Sequence, residues 1–199
     1  MKINKVRGAI ILLSFLALLA MLIFENNMIA LGLSAICIVA ALIMLYPNLA
    51  ELTDISNDNP KTRTLQFVTI FDAVVFIGVV AMALLIGTGV IEVTENSEKF
   101  FSACIVALIM LVLGNIAPKL PFSKHTGLRL PWTVTDEDTW VVAHRLVGYI
   151  SIPLVLIYIA CIPTVSNFEV LSGVIILLWV GIPGGLSFMF YYKRMKGIK

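Results

Sequence analysis

Six long apolar segments are the feature that most limits what this chain can fold into. A helix needs about 20 mostly apolar residues to cross the hydrocarbon core of a bilayer, and each segment is near that length. The apolar runs do not alternate with polar residues, as the strands of a membrane barrel would. The sequence therefore predicts an all-α integral membrane protein with six transmembrane helices, at residues 8–24, 28–46, 65–91, 100–117, 141–162 and 168–192.

The scarcity of charge excludes a soluble domain of this length. Only 13% of the 199 residues are Asp, Glu, Lys or Arg, and 60% are hydrophobic, whereas soluble domains carry roughly 25% charged residues. The first apolar segment follows a basic start but is longer than the apolar region of a typical signal peptide. We therefore expect it to be a retained first helix, and residues 1–199 to form a single six-helix domain.

Basic residues fall on one side of the predicted helices. They precede the first helix, separate the second from the third and the fourth from the fifth, and follow the sixth, whereas the opposite connections carry Lys99 among five glutamates. The positive-inside rule therefore predicts that both termini and the two longer loops are cytoplasmic. The basic residues on that side are Lys2, Lys5, Arg7, Lys61, Arg63, Lys119, Lys124, Arg129, Lys193, Arg194, Lys196 and Lys199.

Asp72 is a carboxylate inside the third predicted helix, roughly 10 Å from its cytoplasmic end at about 1.5 Å per residue. Intramembrane carboxylates are costly and usually face a partner or a water-filled cavity. The candidate partners are His144 and Arg145, which lie at a comparable depth in the fifth helix. We predict that Asp72 pairs with one of them. A proton or ligand site without a fixed pair, and an aspartate that reaches the interface, are the alternatives.

Most of the distinctive sequence lies at residues 114–148, which include three prolines, both histidines and two of the three tryptophans. A Gly-Asn pair at the start, with Pro118 beyond, is typical of a helix end. Trp132 favours the membrane interface. Thr135 is predicted to cap the next helix, with the acids at 136–138 at its positive end. We expect this cytoplasmic segment to lie along the inner leaflet.

The fifth predicted helix begins with a polar stripe. Trp140, His144 and Gly148 are spaced i, i+4 and i+8, so they share a face, which should meet other helices rather than lipid. We expect His144 to be a hydrogen-bonded packing residue. A metal site is a disfavoured alternative, because no zinc-binding framework accompanies its candidate ligands. Those ligands are His125, Asp136, Glu137, Asp138 and His144.

The residues of this stretch resemble the SdpI family of bacterial membrane proteins. The family pattern combines GN-x-x-PK, a later G-[IL]-R-x-PWT, a Trp and HR-x-x-G, and the order and spacing match throughout. The six-helix layout also fits. By this resemblance, the candidate functional residues are Asn115, Pro118, Lys119, Gly127, Arg129, Pro131, Trp132, Thr133, Trp140, His144, Arg145 and Gly148.

The resemblance implies immunity and signal transduction, with no cofactor, no catalysis and no direct binding of nucleic acid. The best-known member protects its producer from a secreted toxin peptide that acts on the membrane, and it recruits a transcriptional repressor to the membrane. The implied partners are therefore lipid, a toxin peptide outside and a cytoplasmic repressor. Because the motif is predicted inside, we expect toxin contact at the outer loops or at helix faces within the membrane. The motif itself would serve a cytoplasmic output or hold the bundle together.

Two other functions are open at this point. The first is an inner-leaflet enzyme acting on a lipid-linked substrate, with Arg129, Asp136 and His144 around the headgroup, although no nucleophile or metal framework is visible. Its mark would be His144 and a carboxylate within hydrogen-bond reach. The second is a small ion-coupled transporter that uses Asp72 and a sixth helix broken near Pro183. An ordinary kink is the expected effect of that proline.

Overall fold

Six long helices dominate the structure, a computed structural model that describes residues 2–25, 27–53, 55, 59, 62–123, 126–165 and 167–197. All six are long and apolar enough to cross a membrane, which confirms their predicted number. Two short 3-10 turns, Tyr46–Asn48 and Ala117–Lys119, follow α2 and α5. The helices are α1 (Lys2–Ile23), α2 (Asn27–Leu45), the one-turn α3 (Leu49–Leu52), α4 (Thr62–Gly87), α5 (Glu95–Ile116), α6 (Glu137–Cys161) and α7 (Phe168–Met195).

Large apolar side chains cover the outside of the helices, and many small ones are inside. Leu22 is 81% exposed and Leu177 is 73% exposed, whereas Ala30 and Ala103 are buried. A soluble protein rarely exposes such extensive apolar surface. In lipid, small residues at helix contacts let the backbones approach closely. The distribution of side-chain size therefore agrees with a bilayer as the solvent.

The chain forms two compact units, Met1–Val93 and Thr94–Lys199, and that they make one domain stays a prediction. In the first unit, α1 and α2 form a hairpin and α4 packs against α2. The Ser34 hydroxyl on α2 donates to the Ala17 carbonyl on α1 at 2.8 Å. Such hydroxyl bonds join helices where the surrounding lipid offers no partner.

The second unit is a three-helix bundle in which α6 packs against both α5 and α7. Side-chain hydrogen bonds inside the bundle join α6 to α7 and fix their register. The Tyr158 hydroxyl lies 2.7 Å from Ser172 Oγ, and the Trp179 indole donates to Ser151 Oγ at 2.7 Å. The core around them consists of Ala103, Ala107, Met110, Leu154, Val155, Tyr158 and Ile175.

The predicted cap of the helix after the central stretch was wrong by one residue. Asp136, not Thr135, caps α6, because its carboxylate accepts from the Thr139 amide at 2.9 Å. The Thr135 hydroxyl instead donates back to the Pro131 carbonyl at 3.0 Å. Consequently α6 begins at Glu137, four residues before the predicted span at 141–162.

The helix breakers have different outcomes. The helix expected to end at the Gly-Asn pair ends at Ile116, one residue beyond Asn115, and then tightens into the 3-10 turn. Gly114 lies in its last turn and also serves a helix–helix contact. The last helix is continuous from Phe168 to Met195 with Pro183 inside it, so it is not broken there as the transporter alternative requires.

Candidate functional site

Thr133 organises the loop that precedes α6. Its side chain is fully buried. The hydroxyl accepts from the Leu130 amide at 2.9 Å and donates to the Leu128 carbonyl at 2.7 Å, and the Thr133 amide returns to the Leu130 carbonyl at 2.9 Å. Backbone groups outside helices need such partners when they are buried. The side chain of Thr133 therefore provides hydrogen-bond partners for a backbone N–H and for backbone carbonyls of the loop.

His144 joins this loop to α6 and uses both of its ring nitrogens. Nε2 accepts from the Leu128 amide at 3.0 Å, and Nδ1 lies 2.8 Å from the Trp140 carbonyl. Because a carbonyl can only accept, Nδ1 carries the proton, and Nε2, which accepts, carries none. The imidazole is therefore neutral, in a defined tautomer, and 2% exposed. This is the arrangement expected of a packing histidine.

Gly127 lets the loop close over the histidine. Its φ is +81°, and a Cβ at this position would collide with His144 Nε2 and lie 2.7 Å from Trp140 Cη2. Only glycine combines such a backbone conformation with this clearance. Beneath it the Trp140 and His144 rings stack with centroids 3.8 Å apart, and Phe122 meets Trp140 edge-on at 5.7 Å. Part of the predicted polar stripe is thus a stacked ring pair under the loop.

Trp132 ties the loop to α7. Its indole donates to Ser187 Oγ at 3.1 Å, and Ser187, which is fully buried, donates to the Gly184 carbonyl at 2.9 Å. The Trp132 ring also meets Phe188 at 4.9 Å between centroids. At Gly184, a Cβ would lie 3.2 Å from Leu130 Cδ1. The absence of a side chain there lets the loop approach the helix closely.

Glycines let α5 and α6 touch. A Cβ on Gly114 would overlap the Ser151 side chain, and one on Gly148 would lie 2.9 Å from Pro118 Cγ. Ser151 also accepts the indole bond from Trp179. This serine therefore lies where all three helices of the second unit meet.

These contacts form one connected set that links the loop to α5, α6 and α7. Its members are buried or make close contacts that a larger side chain would disrupt. Small residues and satisfied hydrogen bonds stabilise helix packing in lipid. We call the set the clasp. It comprises Gly114, Gly127, Trp132, Thr133, Trp140, His144, Gly148, Ser151 and Ser187.

Charge ties the start of α6 to the end of α7. Asp136 Oδ1 lies 3.7 Å from Arg194 Nη2, and Asp138 forms an ion pair with the same guanidinium. Burial raises the pKa of Asp136, but hydrogen bonds from the Thr139 hydroxyl and amide, together with the charge of Arg194, outweigh it and hold the pKa below 3.8. Exposed pairs of this kind contribute little to stability, so their role is to orient the two helix ends.

The other predicted residues of the family motif lie on the surface of the second unit. Lys119 Nζ is 3.4 Å from Asn115 Oδ1. Within the described part of the chain, the side chains of Arg129 and Arg145 have no hydrogen bond or ion pair. The predicted site therefore divides into the clasp and an exposed group. The exposed residues are Asn115, Pro118, Lys119, Arg129, Pro131 and Arg145.

Asp72 lies on α4 in the first unit, and its side chain is exposed. Both of its predicted partners belong to the second unit. The two ring nitrogens of His144 already have backbone partners, so this residue offers no free nitrogen to a carboxylate. The pairing of Asp72 with Arg145 stays a prediction.

The described residues of the clasp suit positioning rather than acid–base chemistry. Both ring nitrogens of His144 are hydrogen-bonded to backbone groups. Asp136 is bonded to Thr139 and paired with Arg194. The described residues contain no group of three His, Cys, Asp or Glu that could hold a metal ion. His125, a ligand in the metal alternative, lies outside them. The arrangement thus gives no support to the enzyme alternative.

Sequence analysis missed the two clasp serines on α6 and α7 and the tryptophan that bonds to one of them. Ser151, Trp179 and Ser187 each make a cross-element bond, yet they look ordinary in apolar helices. One signal could have found them. A hydroxyl or an indole N–H inside a membrane helix usually bonds to another helix or to its own backbone. Serines and tryptophans predicted at the same depth in the membrane are therefore candidate partners.

Comparison with known proteins points to one family. The model of the SdpI/YfhL protein family matches residues 119–191, which include the loop, α6 and most of α7, whereas Asn115 and Pro118 lie just before them. The chain is also 26% identical over 90 residues, 45% of its length, to Immunity protein SdpI of Bacillus subtilis (strain 168). This alignment covers 44% of that protein, less than half of its length. No solved structure matches the chain significantly.

Proposed function

Because the family match confirms the resemblance to the SdpI family, we propose that this chain is a multi-pass membrane immunity protein that protects the cell from a membrane-active toxin peptide. Support comes from six helices able to cross a membrane and from the name of the Bacillus subtilis relative. We expect this protection to come from binding rather than from catalysis. A neutral, fully hydrogen-bonded His144 suits such a protein.

The observation that carries the proposal is the unbroken chain of contacts from the loop through three helices. Trp132 bonds to α7, Leu128 bonds to α6 through His144, and Gly148 packs on the turn after α5. Packed interfaces shift between discrete arrangements rather than deforming continuously. A displacement of one helix would therefore move the loop. Such coupling suits a protein that reports an event on one membrane face to the other.

We place toxin contact at the end of the second unit opposite the clasp. There, the starts of α5 and α7 line a cleft of about 630 Å³, with Glu95, Glu98 and Glu169 beside Lys99. The positive-inside rule puts this end outside and the clasp, with both termini, in the cytoplasm. An acidic outer surface favours association with a cationic peptide.

The loop before α6 is then the output surface of the protein. Arg129 is exposed on it and follows Leu128, whose amide is bonded to His144. A change in the clasp would shift this residue at the membrane surface. Recruitment of a cytoplasmic transcriptional repressor to the shifted loop would convert toxin binding into altered transcription.

Protection of a toxin-sensitive bacterium tests the immunity role. Cells that express the full chain are challenged with purified membrane-active bacterial peptides and with culture supernatant of Bacillus subtilis strain 168. We expect expression to raise the inhibitory dose of at least one of them. His144→Ala removes both hydrogen bonds of this side chain and should abolish protection. Ser14→Ala is the control, because that hydroxyl bonds only its own helix, to Ile10.

Arg129→Ala tests the output separately. It should keep protection but lose capture of a cytoplasmic partner in a pull-down with the full chain, since the exposed side chain makes no hydrogen bond or ion pair with a described clasp member. Membrane accumulation of each variant is followed by immunoblot. No protection against any peptide, together with no captured partner, would overturn the proposed function. Full protection by His144→Ala at normal accumulation would show that the clasp does not carry it.

A further inference from the structure

Arg129 and Arg145 are candidate-site residues whose guanidinium groups have no hydrogen bond or ion pair with the described residues. Both side chains are exposed. A guanidinium presents five N–H donors and stays charged at any physiological pH. At the surface of a membrane helix such a group pairs with an anion or a carbonyl, or reaches the interface. The two residues are therefore candidates to bind an external anion.

The surroundings of Arg145 select lipid over a soluble partner. Val141, Tyr149 and Ile152 lie four before, four after and seven after Arg145, so they share its face of α6. They are 37%, 75% and 61% exposed. A soluble anion would leave this apolar face in water, which is unfavourable. Acyl chains of a lipid would cover it.

The depth of Arg145 suits a lipid headgroup. It lies nine residues after the cap Asp136, about 13 Å along the axis at about 1.5 Å per residue. Side chains on a helix point toward its N terminus, so the long arginine side chain can return to the interface. Among the described carboxylates, Asp138 lies seven residues earlier on the same face but is already paired with Arg194. A headgroup phosphate at the interface can therefore be the anion that pairs with Arg145.

Arg129 lies in the loop next to a residue that is hydrogen-bonded to α6. It follows Leu128, whose amide is bonded to His144 at 3.0 Å, and Arg145 follows His144. The two arginines therefore flank one hydrogen bond of the clasp. Guanidinium forks bind phosphate oxygens bidentately. We propose that Arg129 and Arg145 together bind the headgroup phosphate of one anionic phospholipid, whose acyl chains cover the apolar face of α6.

This lipid site requires only that α6 lies in a membrane, and it does not rest on the immunity role. It gives a role to the exposed part of the motif. The lipid would bridge the loop and α6 from outside, at the point where His144 bridges them from inside. Lipid composition would then change how firmly the loop is held.

Native mass spectrometry of the purified full chain in neutral detergent tests the site. Phosphatidylglycerol and phosphatidylcholine with the same acyl chains are titrated separately, and we expect phosphatidylglycerol to bind more tightly. One cation near an anionic lipid surface is worth about 1 kcal/mol, which corresponds to about a fivefold change in affinity. Arg129→Gln and Arg145→Gln should each weaken binding by about that factor. The double variant should weaken it further, and its effect should depart from the product of the two because both residues bind one phosphate.

Three controls separate a specific site from diffuse charge. Lys193→Gln removes an exposed cation from the last turn of α7 and should have a much smaller effect. Arg145→Lys keeps the charge without the bidentate fork, so its affinity should fall between those of wild type and Arg145→Gln. Inorganic phosphate, at ionic strength matched with chloride, should not displace the lipid.

Several results would overturn the lipid site. These are equal affinity for the two lipids, and equal losses in Lys193→Gln and Arg145→Gln. Displacement by inorganic phosphate would assign the arginines to free phosphate instead. Rescue of the membrane accumulation of Arg145→Asp by Asp72→Arg would make Asp72 the partner of Arg145. Size-exclusion chromatography checks the folding of each variant. If Arg145→Gln does not fold, the single variants Arg145→Lys and Arg129→Gln test the lipid site in its place.

Discussion

Among substitutions that add one methyl group to the loop before α6, we expect Gly127→Ala to lower the stability of the protein most. Two costs add at this position. The left-handed backbone, with φ of +81°, costs a non-glycine residue about 1–2 kcal/mol. The new Cβ would also collide with His144 Nε2 and lie 2.7 Å from Trp140 Cη2, and overpacking of this kind costs about 1–3 kcal/mol. The expected loss in the free energy of unfolding is therefore about 2–5 kcal/mol.

A matched control in the same chain isolates the second cost. Gly89 has φ of +73°, and a Cβ there meets nothing within 4 Å. Gly89→Ala should therefore lose only the backbone part, about 1–2 kcal/mol. The difference between the two variants measures the collision over the histidine ring. The two substitutions should also have additive effects on stability in a double variant, because the two glycines share no described partner.

Unfolding of the purified full chain by titration with SDS in mixed micelles provides the measurement. Tryptophan fluorescence follows the transition, and near-ultraviolet circular dichroism reports the stacked Trp140 and His144 rings. Gly127→Ala should also weaken the near-ultraviolet signal, whereas Gly89→Ala should not. Equal stability of the two variants, with an unchanged ring signal, would refute the close approach of the loop to His144.

Three other substitutions test contacts of the second unit in the same unfolding assay. Ser151→Ala removes the acceptor of Trp179 and should cost about 1–3 kcal/mol; no loss would contradict that bond. Gly148→Ala drives a Cβ against Pro118 and should cost about 1–3 kcal/mol; no loss would contradict the close packing of the turn on α6. Asp136→Ala removes the α6 cap and should cost about 1 kcal/mol. Because the native pKa of Asp136 is lowered, its stabilisation is present above the unfolded pKa and lost as pH falls through the native one, so variant and wild type should converge in acid.

The number and approximate positions of the long helices could be predicted because lipid imposes a length on apolar segments. Their ends could not, since several residues there can do the same job. Thr135 and Asp136 are adjacent and both can cap a helix, and only the direction of the chain entering α6 decides between them. Gly114 shows a second ambiguity. A glycine near a helix end serves equally well as a terminator or as a site of close helix contact.

The motif could be located from sequence, but its division into buried and exposed parts could not. His144 and Arg145 are neighbours in one motif, yet the first is buried under the loop and the second faces outward. A one-residue step on a helix turns the side chain by about 100°, so the buried face depends on where the neighbouring helices lie. The partner of Trp132 was also out of reach, because Ser187 is 55 residues away and has no unusual neighbours.

That separation has a consequence for how the chain matures. At a synthesis rate of about 5–20 residues per second, the Trp132 indole waits roughly 3–11 s before its acceptor on α7 is made. The Asp138–Arg194 pair spans a similar interval. Until then the loop has only its ties to α5 and α6, and the indole depends on water or lipid for a partner. The bonds between the loop and α7 can therefore form only after α7 has been made. A nascent chain stalled before that point would lack the Trp132–Ser187 bond.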